Sequence, residues 1–111
     1  GMNGFCARQF VCESNGNIYP CDFYCTDEYL LGNIKVTNFE EIAFCDTAKK
    51  FIESSANTPE TCKSCEYINL CRAGGCKRTR QSADYCGAYK KFFKECLPLF
   101  KYFENLKQNN I

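Results

Sequence analysis

The chain has 111 residues, 45% of them hydrophobic, which suits one domain, whole or cut from a larger protein. With 14 basic and 13 acidic residues the net charge is +1, so composition gives no argument for a nucleic-acid partner or an anionic membrane surface. The 11 cysteines are an odd number, which excludes a fully paired disulfide framework, and the lack of histidine excludes His-containing zinc sites and the Ser-His and Cys-His nucleophilic pairs.

Gly1 and Met2 read as a tag remnant, making residues 1–4 a tag or linker. Residues 5–25 read as a β-hairpin. Gln9–Cys12 and Ile18–Cys21 flank Ser14-Asn15-Gly16-Asn17, where Asn15-Gly16 is expected to supply the two positive-φ positions of a tight primed turn. Pro20 cannot donate to a ladder, so its strand is an edge or ends there. Folding the chain back brings Cys12 near Cys21, with Cys6 just ahead of the first strand. Three thiolates can then converge at one end of the hairpin.

Leu30-Leu31-Gly32-Asn33-Ile34 breaks on Gly32-Asn33 and reads as a turn. Asn38 is an N-cap with Glu40 and Glu41 in the first helical turn. Ile42, Cys45, Ala48, Phe51 and Ile52 follow at helical spacing, predicting one connecting helix that ends near Ser54-Ser55. Residues 62–76 hold Cys62, Cys65, Cys71 and Cys76 and read as an irregular cysteine knuckle, too rich in glycine for regular structure. From Asp84 the chain reads as helix again, with Tyr85, Tyr89, Phe92, Phe93, Cys96, Phe100 and Phe103 as a core-facing aromatic stripe. Pro98 is expected to kink or split it. The sum is a small α+β, metal-organised fold: N-terminal β-hairpin, connecting helix, cysteine knuckle and C-terminal helical segment.

Clustered cysteines in a reducing compartment bind metal more often than they pair, so a cytoplasmic setting is expected. No run approaches ~20 apolar residues, so no membrane partner is expected. Cys62-x2-Cys65-x5-Cys71, with Cys76 and Cys86 beyond, suits either tetrahedral zinc or a 4Fe-4S cluster. The five-residue gap fits a loop crossing a cubane better than a zinc knuckle. Cys6, Cys12 and Cys21 need a fourth ligand, for which Cys76 is the natural donor. Cys25 is a substitute for Cys12, while Cys45 and Cys96 read as small hydrophobes on helix faces. Lys77, Arg78 and Arg80 read as surface cations, or as charges that offset a thiolate-ligated cluster or dock a further domain.

Cys6-x9-Gly16-x4-Cys21, then Cys62-x2-Cys65-x5-Cys71, then Cys76 and Cys86, resembles the SPASM domain, the auxiliary-cluster module of many radical-SAM enzymes. Gly16–Tyr24, Asp27–Asn33 and Tyr85–Tyr89 are similar to the anaerobic sulfatase-maturating branch. The resemblance makes residues 5–96 an iron-sulfur domain and 97–111 a C-terminal helical extension. It implies two 4Fe-4S clusters, one held by Cys6, Cys12, Cys21 and Cys76, the other by Cys62, Cys65, Cys71 and Cys86. Zinc is possible in aerobic preparations. It also implies that Asp22 is the base that takes a proton from a substrate Cys or Ser, provided burial raises its pKa. The family spacing between the third and fourth knuckle cysteines is three residues; here Arg72-Ala73-Gly74-Gly75 makes four, an extra residue that a bulge can absorb.

The Cys-x3-Cys-x2-Cys motif that a radical-SAM core requires is absent: Cys21-x3-Cys25 matches its first half, but position 28 is Glu28. The chain is therefore expected to be inactive alone. S-adenosylmethionine would enter through a missing barrel domain, the expected partner along with a peptide or sulfatase substrate. The alternatives are a module of a radical-SAM enzyme acting on another peptide, or a stand-alone zinc-binding or scaffold domain.

Overall fold

The computed structural model describes residues 3–80 and 85–109. Asp84, where the last helix was expected to start, lies outside them. Strands β1 (Val11–Cys12) and β2 (Asn17–Tyr19) pair antiparallel, with Val11 opposite Tyr19 and Cys12 opposite Ile18. The hairpin turn is not the primed turn expected. Among the described residues only Arg72 and Ala73 are non-glycines with positive φ, so Gly16 (φ +93°) alone supplies that conformation here. Its N–H donates to the Glu13 carbonyl at 2.9 Å, closing a turn that ends on a glycine bulge.

A third strand, β3 (Gly32–Asn33), replaces the expected turn and makes β2 central, with Asn17 opposite Asn33 and Ile18 opposite Gly32. β2 stops one residue before Pro20, as a residue without an N–H requires. Gly32 is needed for close approach, since a Cβ there would lie 2.9 Å from Cγ1 of Ile42.

The connecting helix divides into α1 (Phe39–Phe44) and α2 (Asp46–Ser55). Asn38 caps α1 as expected, accepting from the Glu40 N–H at 2.8 Å. Cys45 is not on a helix face. Its backbone is extended (ψ 159°), and its sulfur accepts from the Ala48 N–H at 3.5 Å, capping α2. Ile18, Leu31, Ile42 and Ala48 form one small core, flanked by Phe10 and Cys45.

The knuckle is more regular than expected: single-turn helices α3 (Glu60–Lys63), α4 (Ile68–Cys71) and α5 (Lys77–Arg80). α6 (Cys86–Asn109) runs unbroken through Pro98. None of its residues is buried, so the aromatic stripe is not core within this chain. The described helices include none long and apolar enough to cross a membrane. The fold is thus a three-stranded antiparallel sheet among short helices.

Candidate metal centre

The first cysteine group forms where the chain before β1, the end of the hairpin and the end of the knuckle meet. Cys6 and Cys21 are buried against Phe51, with Tyr24 and Tyr29 packed around them. The three rings stand edge to face, with centroids 4.9 to 5.7 Å apart. Burial pushes the Cys21 thiol pKa up. A backbone N–H at Phe23 opposes this, and the Asp22 carboxylate and the Cys76 thiolate raise it further. Burial likewise raises the Tyr24 pKa, with smaller contributions from Tyr29, Cys76, Cys21 and Cys6. Cys76 is thus a close neighbour of the hairpin pair.

Cys6 is fixed by a partner that sequence reading did not single out. Its N–H donates to the hydroxyl of Ser55 at 2.7 Å, and that hydroxyl donates to the Ile52 carbonyl at 2.5 Å. Ser55 is fully buried at the end of α2. Nothing local in the sequence marks it, since the contact spans 49 residues.

Cys12 stands apart. The register sets it opposite Ile18 rather than Cys21, and its exposed thiol donates to the Glu13 carbonyl. Cys25 lies nearer, its thiol donating to the Cys21 carbonyl at 3.5 Å. Desolvation raises its pKa, as do the charges of Glu13 and Asp22. Asp22 opens a 3-10 turn, Asp22–Tyr24, and accepts from the Cys21 thiol at 3.4 Å. It is exposed, so this chain alone does not bury it.

The second group is more complete. Cys62, Cys65, Cys71 and Cys86 all line one cavity of about 70 Å³, beneath Tyr67 and Phe93, which stack at 6.0 Å. An adjoining cavity of about 120 Å³ shares Cys62, Cys71 and Cys86 and adds Thr79 and Arg80. The α3 turn, where the Cys65 N–H donates to the Cys62 carbonyl, sets the first pair, and α4 carries Cys71.

The four residues between Cys71 and Cys76 form a left-handed turn rather than a bulge. Arg72, Ala73, Gly74 and Gly75 have φ of 51°, 55°, 87° and 78°. This turn aims the Gly74 N–H at the Cys71 sulfur, 3.3 Å away. An N–H aimed at sulfur stabilises the thiolate that a metal needs.

Protein interiors are close-packed, so a gap walled by four thiols is a cradle rather than core. Among the described residues, no three Cys, Asp or Glu side chains converge on one point to hold a single ion. Four tetrahedral thiolates on one zinc must crowd around Zn–S bonds of about 2.3 Å, whereas a cubane fills the space between them. The residues present fit an iron-sulfur cluster.

Three cations surround the groups. The Lys77 ammonium donates to the Ser54 hydroxyl at 2.9 Å and sits over the Tyr24 and Phe51 rings. The Arg78 guanidinium lies 4.1 Å above the Phe23 ring, next to Asp22. Arg80 donates to the backbone carbonyls of Gly4, Ser55 and Asn57.

The family model of SPASM, an iron-sulfur cluster-binding domain, matches residues 6–66. A cysteine-type anaerobic sulfatase-maturating enzyme of Clostridium perfringens is 43% identical over 106 residues, which are 88% of this chain and 28% of that enzyme. Among solved structures, native anSMEcpe with bound AdoMet superposes with a TM-score of 0.84 at 41% identity, covering 95% of this chain and 30% of that one. The same protein with AdoMet and the Kp18Cys peptide gives 0.83 at 40% identity, covering 100% and 32%. The chain therefore spans about 30% of the length of the proteins it matches.

Proposed function

Because this chain belongs to the SPASM family of iron-sulfur cluster-binding domains, we propose that it is the auxiliary-cluster module of an anaerobic sulfatase-maturating radical-SAM enzyme, one that converts a peptidyl Cys or Ser to formylglycine. The observation that carries this reading is the second cysteine group. Four thiols line one cavity in a domain built like part of a sulfatase-maturating enzyme. Two 4Fe-4S clusters are proposed. Cys62, Cys65, Cys71 and Cys86 would hold one. Cys6, Cys21 and Cys76 would hold the other, with Cys12 in its fourth position. The barrel that binds S-adenosylmethionine would be a partner domain, and the substrate a sulfatase-derived peptide.

The oxidation takes a hydrogen atom, a proton and one electron from the substrate's CH2–SH or CH2–OH group, leaving a thioaldehyde or aldehyde. Hydrolysis of the thioaldehyde then gives formylglycine. When bound, the clusters supply one-electron acceptors beside the substrate. Asp22 would take the proton. Its carboxylate stands exposed at the rim of the first cysteine group, where an incoming peptide and the barrel can bury it. Phe23, with Arg78 over its ring, would form the apolar lip beside that carboxylate.

The test is anaerobic reconstitution of the full-length enzyme. About eight irons on this domain, beyond those of the barrel, are expected for two 4Fe-4S clusters. One or two zincs that iron cannot displace would instead establish a zinc scaffold. Asp22→Asn is expected to keep its iron and to lose about 10²-fold or more of peptide oxidation, the scale of a general base. Full turnover by that variant would remove Asp22 from the mechanism. The isolated chain should not turn over a sulfatase-derived peptide with S-adenosylmethionine and a reductant.

A further inference from the structure

Arg80 connects the two cysteine groups. α5 starts directly after Cys76, and the Arg80 N–H donates to the Cys76 carbonyl at 3.0 Å. Its two terminal nitrogens bind the segment that carries Cys6. One donates to Gly4, two residues before Cys6. The other donates to Ser55, whose hydroxyl holds the Cys6 N–H, and to Asn57. The same side chain lines the second cavity with Cys62, Cys71 and Cys86. There its Nε is buried and has no hydrogen-bond partner among the described residues.

A buried guanidinium N–H without an acceptor is costly, because the group is always charged and cannot shed the proton. The chemistry of the cavity supplies the acceptor. A 4Fe-4S core on four thiolates is anionic, and its sulfurs accept hydrogen bonds that tune its potential.

The geometry points to Arg80 as a positioning residue whose Nε–H donates to a sulfur of the second cluster while its terminal nitrogens hold the first cysteine group in place. This rests on the two-cluster reading above. A donor and positive charge at the second cluster favour its reduced, more negative state, so Arg80 raises the second cluster's potential relative to the first. Lys90 lines the opposite wall and adds positive charge, but it takes no part in holding the Cys6 segment. Arg80 would thereby bias electron flow towards the Cys62, Cys65, Cys71 and Cys86 site.

The experiment uses full-length enzyme, wild type, Arg80→Met and Arg80→Lys, each reconstituted anaerobically. Iron content is measured, and both auxiliary clusters are titrated by EPR-monitored reduction. With iron content retained, Arg80→Met should move the second cluster to lower potential and shift the first less. Arg80→Lys keeps a cation but lacks the Nε–H, and should fall between the two. In protein labelled with 15N-arginine, the reduced second cluster should show a 15N hyperfine coupling that Arg80→Lys abolishes. If Arg80→Met fails to load iron, the lysine variant and the labelled wild type decide. An unchanged second-cluster potential together with no arginine coupling overturns the inference while leaving the two-cluster reading intact. A wild type without a second auxiliary cluster overturns both.

Discussion

Ser55 carries more of the site than any cysteine beyond the hairpin, although it is not a ligand. It is fully buried, accepts from the Cys6 N–H and donates to Ile52. Ser55→Ala leaves that buried N–H without an acceptor, which costs about 1–3 kcal/mol. Chemical denaturation of the holo-protein should read this loss, and unchanged stability would mean that water replaces the hydroxyl. Cysteine variants rank by the same geometry. Cys6→Ala, Cys21→Ala and Cys76→Ala should each lose about four irons per chain, the content of one 4Fe-4S cluster. Cys12→Ala should lose least, since Cys12 is exposed opposite Ile18. Equal losses for all four would place Cys12 fully in the ligand set. The cysteine spacing was legible in the sequence because thiols announce themselves. Ser55 and Arg80 were not, because their partners lie 49 and up to 76 residues away and their residue types are ordinary at such positions.

At the scale of elements, the turn Arg72–Gly75 decides whether an extra residue can be accommodated. Two non-glycines, Arg72 and Ala73, are held in the left-handed region, each at a cost of order 1–2 kcal/mol. The turn persists because Gly74 and Gly75 continue it at little cost. It aims the Gly74 N–H at Cys71, and the Gly74 carbonyl accepts from the Thr79 hydroxyl at 2.7 Å. Gly74→Ala adds a Cβ at φ +87°, 3.3 Å from the Thr79 hydroxyl, so a loss of about 1–3 kcal/mol is expected. The second cluster should then be lost on oxidation faster than the first, as iron release against time would read. Equal release rates would remove the turn's role in holding Cys71. Local rules made the hairpin and the Asn38 cap legible. β3 escaped them because two residues, Gly32-Asn33, read equally as a turn. The break at Cys45 escaped because Ile42, Cys45, Ala48, Phe51 and Ile52 satisfy a single helical period. An amphipathic pattern likewise gave α6 an apolar face but not what covers it.

The whole molecule is extended, with a radius of gyration of 18.2 Å against about 13 Å for a compact domain of this length. Its apolar core falls into two small clusters, and they depend on metal to different degrees. Ile18, Leu31, Ile42 and Ala48 join the sheet to α1 and α2 without any proposed ligand. The knuckle from α3 to α5 buries only Ala73 among its apolar side chains, and its four helical or 3-10 turns are each three or four residues long. Helices that short do not persist in water without tertiary support. The support here must come from the Tyr67–Phe93 stack, from Arg80 and from whatever fills the thiol-lined cavity. Metal binding is then folding free energy for the knuckle but not for the sheet. Anaerobic chelation of the iron-loaded protein should therefore abolish hydrogen-exchange protection of amides from Cys62 to Arg80. The Leu31 and Ile42 amides, bonded to Ile18 and Asn38, should stay protected. If both regions lose protection together, the sheet core is too small to stand alone and the clusters organise the entire chain. If neither does, the knuckle holds without metal and the cavity is not where its stability resides.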